Sequence, residues 1–100
     1  MMDSRLVLLA PGDNCVVAAQ PLAAGTSVEI DGARLTVRAA IGTGHKLARR
    51  AIAAGETVFK YGAAIGHATA PVAIAEHLHT HNLASDWIPT VLEPAARARG

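Results

Sequence analysis

Three of the five histidines stand at alternate positions in Glu76-His77-Leu78-His79-Thr80-His81-Asn82-Leu83. Imidazole ligates metals and carries protons near neutral pH, so chemistry is to be sought here first. In an extended chain alternate side chains share a face. His77, His79 and His81 would then line one surface, with Leu78, Thr80 and Asn82 on the other. A helix would scatter the same rings. Strand residues two apart sit ~6.6 Å from each other and residues four apart ~13 Å, whereas Zn–N bonds are ~2.1 Å. The expected bite on one ion is therefore a neighbouring pair, such as His79 with His81. A further ligand would come from His45, His67 or a carboxylate on another chain. The alternative is a half-exposed strand of polar rings that holds no ion.

The rest of the composition bounds what such a site can belong to. One hundred residues make one small domain with a single core and little spare stability. Hydrophobic residues make up 51% but aromatics only 3%, so that core is Val, Ile, Leu and Ala. With few large anchors, burial against a partner or a second copy is expected. A net charge of +1 offers no broad attraction to nucleic acid or anionic lipid. Arg49-Arg50 and Arg97/Arg99 are too sparse to track phosphates, and aromatics are not interleaved with them; nucleic acid is set aside. Cys15 is the lone cysteine, excluding an intrachain disulfide, and in Asn14-Cys15-Val16-Val17-Ala18 it reads as a small buried hydrophobe. The apolar run from Leu6 to Ala10 is too short for a membrane span or a signal-peptide core, which makes the cytoplasm the expected compartment.

Short strand signals separated by glycine turns run through the chain. Arg5 to Ala10 ends at Pro11-Gly12-Asp13, and Cys15 to Ala19 is closed by Pro21. Asp13 and Asn14 are expected to cap the turn after Pro11. Ser27 to Ile30 and Arg34 to Val37 flank Asp31-Gly32, a link that favours a type I′ hairpin. Gly42-Thr43-Gly44 permits a tight turn before His45, and His45 to Ile52 alternates imperfectly. Thr57 to Tyr61 follows a turn at Ala53 to Glu56, and Ala64 to Ala68 continues beyond Gly62. One helical turn between Ala68 and Glu76 is the alternative there. The histidine strand runs to about Leu83, after which Leu83 to Asp86 could open a short helix and Pro89 and Pro94 break what remains. Trp87 either folds back on the domain or anchors a partner. These signals together indicate an all-β domain.

Several motifs stand in one order: Gly12-Asp13-Asn14, Gly44-His45-Lys46-Leu47-Ala48, Ile52-Ala53-Ala54-Gly55-Glu56, Lys60-Tyr61-Gly62, Ile65-Gly66 with Ala68-Thr69-Ala70, and His77 to Leu83. The set resembles the SAF domain of the altronate/galactarate dehydratase family, over about residues 6 to 84. The resemblance implies a β-clip fold for residues 1–84 and a short irregular tail over 85–100. It also implies the small subunit of a metal-dependent sugar-acid hydro-lyase, inactive alone and completed by a large dehydratase subunit. The divalent metal is commonly iron. A sister branch of the family removes sulfite from sulfolactate. The rival expectation is a free-standing module that binds a sugar acid or metal without catalysis. Two positions depart from the family pattern. Arg50 stands where an acid is usual, and Ala75 replaces the usual glycine before Glu76-His77.

Elimination of water from a 2-hydroxy acid needs a proton removed, enediolate charge held, and the departing hydroxyl protonated or metal-bound. On the resemblance, His45, His79 and His81 are the acid–base candidates, with His79 and His81 also the metal ligands. Lys46 and Lys60 would clamp a carboxylate, Tyr61 would donate a hydrogen bond, and Asn82 would contact substrate or orient a histidine or the backbone. The plainer roles are solvated surface for both lysines and for His67, and core for Tyr61.

Overall fold

The computed structural model describes residues 1–86; residues 87–100, which include Trp87 and nearly all of the expected tail, lie outside the described residues. The domain is all-β, with no helix among the described residues. Nine short strands follow in order: β1 (Leu6–Val7), β2 (Cys15–Ala18), β3 (Ser27–Ile30), β4 (Ala33–Thr36), β5 (Lys46–Ala48), β6 (Thr57–Lys60), β7 (Ala63–Ala68), β8 (His77–Leu78) and β9 (Leu83–Ser85). All pairings are antiparallel, in a sheet of order β1-β2-β5-β8, a β3–β4 hairpin, and a sheet of order β6-β7-β9.

The chain traces one path twice. In each unit an apolar residue is followed three positions later by a left-handed turn residue and six positions later by a second apolar residue. Leu22, Gly25 and Val28 match Ile52, Gly55 and Val58. Ile41, Gly44 and Leu47 match Val72, Ala75 and Leu78. The bridges Leu22–Ile41 and Ile52–Val72 occupy equivalent places, as do the hairpins β3–β4 and β6–β7. Their turns are Asp31-Gly32 and Tyr61-Gly62, all four residues at positive φ. The second hairpin is one residue longer, and the extra residue is absorbed as a bulge: Val58 pairs with Gly66 but Phe59 with Ala64, leaving Ile65 unpaired.

Apolar burial follows this duplication. One cluster gathers Leu22, Val28, Ile30, Val37, Ile41 and Leu47 with Leu6, Val16 and Ala18. The other gathers Cys15, Ile52, Val58, Ala68, Val72 and Leu78 with Ala48. Strands β2 and β5 serve both clusters, since Cys15 and Ala48 face one while Val16 and Leu47 face the other. The core is aliphatic, as composition indicates; Phe59 is 39% exposed and Tyr61 76%. Cys15 is the buried hydrophobe expected. Its thiol is pushed up to about 11 by burial and by the negative charge of Asp13, and it donates to the Phe59 carbonyl at 3.3 Å.

Ala75 shows why its departure from the family glycine is tolerated. Its φ is +69°, a conformation that disfavours an L-residue by about 1–2 kcal/mol. Its methyl is buried in the first cluster, which returns about 0.8 kcal/mol, and a glycine would add its own entropic penalty of roughly 0.5–1 kcal/mol. The two residues come out nearly even. At Arg50, the other departure, the guanidinium pairs with Glu56 at 2.5 Å and holds that carboxyl below its ordinary value.

Three expectations about elements are corrected. The histidine segment is not one strand: β8 stops at Leu78, the chain turns over His79–Asn82, and β9 begins at Leu83. Leu83 to Ser85 is strand rather than the start of a helix, because its edge pairs with β7. Residues 69–76 form neither strand nor helical turn but a bridge at Val72 and the turn at Ala75. Gly66 makes the β7–β9 pairing possible. A Cβ built there would lie 2.1 Å from the Ala84 carbonyl oxygen, and backbone cannot yield as a flexible side chain does. Gly66→Ala is expected to destabilise the domain by more than about 2 kcal/mol, read as a lowered urea midpoint, with protection lost first at the β9 amides in hydrogen exchange.

Candidate functional site

The site is assembled where β5 lies beside β8. Their register sets Lys46 opposite Leu78 and Leu47 opposite His77, which brings His45, just before β5, to the histidine segment. His45 Nδ1 stands 3.0 Å from His77 Nε2. The rings of His45, His77 and His79 stack with centroids 4.8–5.2 Å apart. One ligand atom from each lies within 4.8 Å of the others.

Asn82 makes this grouping. It is buried, accepts a hydrogen bond from the His79 amide at 2.9 Å and donates to the His77 carbonyl at 2.9 Å. The Asn82 amide also donates to the His79 carbonyl at 3.0 Å. A side chain that closes its own turn in this way replaces the backbone ladder and folds the segment back immediately after Leu78. Consequently the His77 and His81 rings come to 5.6 Å, far closer than an extended strand would allow.

Among the described residues the cluster that gathers ligand atoms is His45, His77 and His79. His81 touches His77 but stands outside it; the rings stacked on His79 are those of His45, just before β5, and His77 on β8. His67 is elsewhere, on β7, with its Nδ1 2.7 Å from an Asp86 carboxylate oxygen. Lys46 lines a cleft next to His79 together with Ile65, Thr80, Leu83 and Ser85. Lys60 and Tyr61 lie on the β6–β7 hairpin, with no hydrogen bond or ring contact to the histidine group among the described residues. The exposure of Tyr61 overturns the core role considered for it. Its backbone is gripped instead: buried Asp13 accepts from the Tyr61 and Gly62 amides at 2.6 and 2.9 Å. Asp13 also caps the Ala10 amide at 3.1 Å, which is the turn-capping expected of it. Asn14 holds the same hairpin, accepting from the Phe59 amide and donating to the Thr57 carbonyl.

Three imidazoles are a donor set suited to zinc, iron, copper or nickel. Ligand nitrogens on one ion would stand ~3.0–3.4 Å apart, a spacing the His45–His77 pair already has and the third ring approaches. The residues fit a shared cation. The ligand pair that the resemblance implies, His79 with His81, leaves His77 out; the signal for His77 is Leu78, whose burial on the opposite face of β8 turns His77 toward His45.

The chain belongs to a dehydratase domain family: the altronate/galactarate dehydratase SAF domain matches residues 4–86. It is similar to the altronate dehydratase of Escherichia coli strain K12, 46% identical over 70 residues. The altronate dehydratase of Bacillus subtilis strain 168 is 36% identical over 70 residues. Each of these alignments covers 70% of this chain but only 14% of the relative. The (2R)-sulfolactate sulfo-lyase subunit alpha of Paracoccus pantotrophus is 47% identical over 49 residues, which is 49% of this chain and 73% of that subunit. No helix among the described residues is long and apolar enough to cross a membrane.

His77 holds its proton less tightly than an ordinary histidine at 6.5. Burial is the main cause, followed by the charges of His45, His79, His81 and Lys46. As pH falls through 6.5 the unfolded chain takes up this proton before the folded domain does, so stability rises with pH across that window. The contribution of His77 is present above 6.5 and is lost as pH drops toward the folded value. In metal-free protein the urea midpoint is expected to fall between about pH 7 and pH 5, with a shallower decline in His77→Gln. Asn82→Ala leaves buried backbone groups of the turn without partners. It is expected to reduce stability by about 1–3 kcal/mol and metal affinity by about 10–100-fold, measured by denaturation and by calorimetric titration with Zn²⁺.

Proposed function

We propose that this domain serves a metal-dependent sugar-acid hydro-lyase of the altronate/galactarate dehydratase type and acts with a larger catalytic polypeptide. His45, His77 and His79 would hold the divalent cation, with iron the ion the family resemblance favours. The observation that carries this reading is the convergence of three imidazoles at the ends of two paired strands, β5 and β8, in a chain of this family. A cation bound there would polarise an oxygen of a 2-hydroxy acid. The protein's own residues do the remaining work. Asn82 fixes the turn that carries the His77 and His79 rings. His81, adjacent to His77 but outside the three, would give or take the proton that elimination moves. On this reading the domain is inactive alone; its alignments span 14% of each altronate dehydratase.

A second reading, the small subunit of a sulfolactate sulfo-lyase, is favoured by the 73% coverage of a relative that is itself a subunit. Both are tested by assaying this chain alone and mixed with a large dehydratase polypeptide of this family from the same organism, on altronate, galactarate and sulfolactate. Turnover is expected from the mixture only. His45→Ala and His77→Ala are expected to lower it by at least about 100-fold and to abolish metal retention on gel filtration. Full turnover by the lone chain, or undiminished turnover of these variants in the complex, would sink the reading. Sulfite release without dehydration would select the second.

A further inference from the structure

Beside the histidine group, Lys46, Ile65, His79, Thr80, Leu83 and Ser85 enclose a cleft of about 220 Å³. Lys46 is half-buried and makes no ion pair among the described residues, unlike Arg5, Arg49 and Arg50, each of which has a carboxylate. It is held in place because β5 is paired on both sides, Lys46 opposite Val17 on β2 and Leu78 on β8. The opposite wall comes from the β7 bulge at Ile65 and from β9, which is pinned where Gly66 meets Ser85. Among the described residues no carboxylate lines the cleft. His79 belongs to both the cleft and the histidine group, and the positive charge of Lys46 reaches His77.

We propose that this cleft is an anion subsite, in which Lys46 takes the carboxylate or sulfonate of a small organic acid and so positions the acid against His79. A half-buried ammonium without a counter-charge favours an anionic occupant. The Thr80 hydroxyl and the His79 ring add hydrogen-bonding groups for its oxygens. The ammonium of Lys46 gives the charged end of the acid, rather than a neutral polyol tail, its strongest partner here. The inference deepens the hydro-lyase reading and rests on it for the identity of the acid. The anchoring itself depends only on the cleft.

The test titrates the full chain, metal-free in the presence of EDTA, with glycolate, isethionate or ethylene glycol, followed by backbone amide NMR. Saturable shifts at Thr80, Leu83 and His79 are expected with the two anions and none with the neutral diol. A preference for glycolate or for isethionate identifies a carboxylate or a sulfonate as the natural group. Lys46→Met, which keeps the alkyl stem, is expected to weaken binding by at least about tenfold. Lys46→Arg should restore most of it, and Arg38→Gln, on exposed surface, should change nothing. Shifts scattered over the cationic surface, or binding indifferent to Lys46→Met, overturn the proposal. Anion binding that appears only with added Zn²⁺ and ignores Lys46→Met also overturns it, and leaves the hydro-lyase reading standing. Lys46-dependent binding in a chain that supports no lyase activity with any partner upholds the subsite and removes that reading instead.

Discussion

Pairing of β5 on both edges is the constraint on which the rest depends. β5 contributes only three residues, yet Leu47 closes one apolar cluster and Ala48 the other. Its register against β8 sets His77 opposite Leu47, within reach of His45. Hydrogen bonds from the Ala48 and Ala75 amides, to Glu76 and Ala48 carbonyls respectively, extend the join past the strand ends. A one-residue slip would turn His77 into the core and Leu78 out of it, so burial of Leu78 enforces the placement of the imidazole.

Because each strand is short, polar side chains do much of the work that longer ladders do elsewhere. Asp3 accepts from the Glu29 and Arg5 amides and from the Arg5 guanidinium, and these bonds depress its carboxyl far below the ordinary range. Asp13 and Asn14 perform the matching task on the second hairpin. Arg49 links the units, donating to the Pro11 and Asp13 carbonyls and to Asp31 of the first hairpin turn. Asn82 belongs to the same class of device. In its case what is held is the turn that carries the histidines, so fold stability and site geometry are set by the same two hydrogen bonds.

Much of the architecture was legible. The Asp31-Gly32 turn demanded positive φ at both positions and received it. The β6 strand and the bounds of β3 followed from alternation and turn chemistry. The duplication is less legible, although its signal, apolar residues three before and three after a left-handed position, is present four times. It was masked by the Asp-Gly and Tyr-Gly turns, which look unalike in sequence but adopt the same conformation. Arg5 to Ala10 and His45 to Ile52 shrank to two and three paired residues because a partner edge, not propensity, decides how much of a β-prone segment becomes strand.

The sequence by itself determined that the domain would be all-β, aliphatic inside, without an intrachain disulfide, and rich in imidazole near residue 80. Composition, period-2 patterning and turn residues are local properties and need no knowledge of partners. Which histidines meet was decided only by tertiary structure. His45 and His77 are 32 residues apart, and their approach depends on the β5–β8 register and on Asn82 folding the segment back. Both are long-range or side-chain-specific choices that spacing along an extended chain cannot express. The Lys46 cleft is of the same kind, since its walls come from β5, β7 and β9 and exist only once those strands have found their edges.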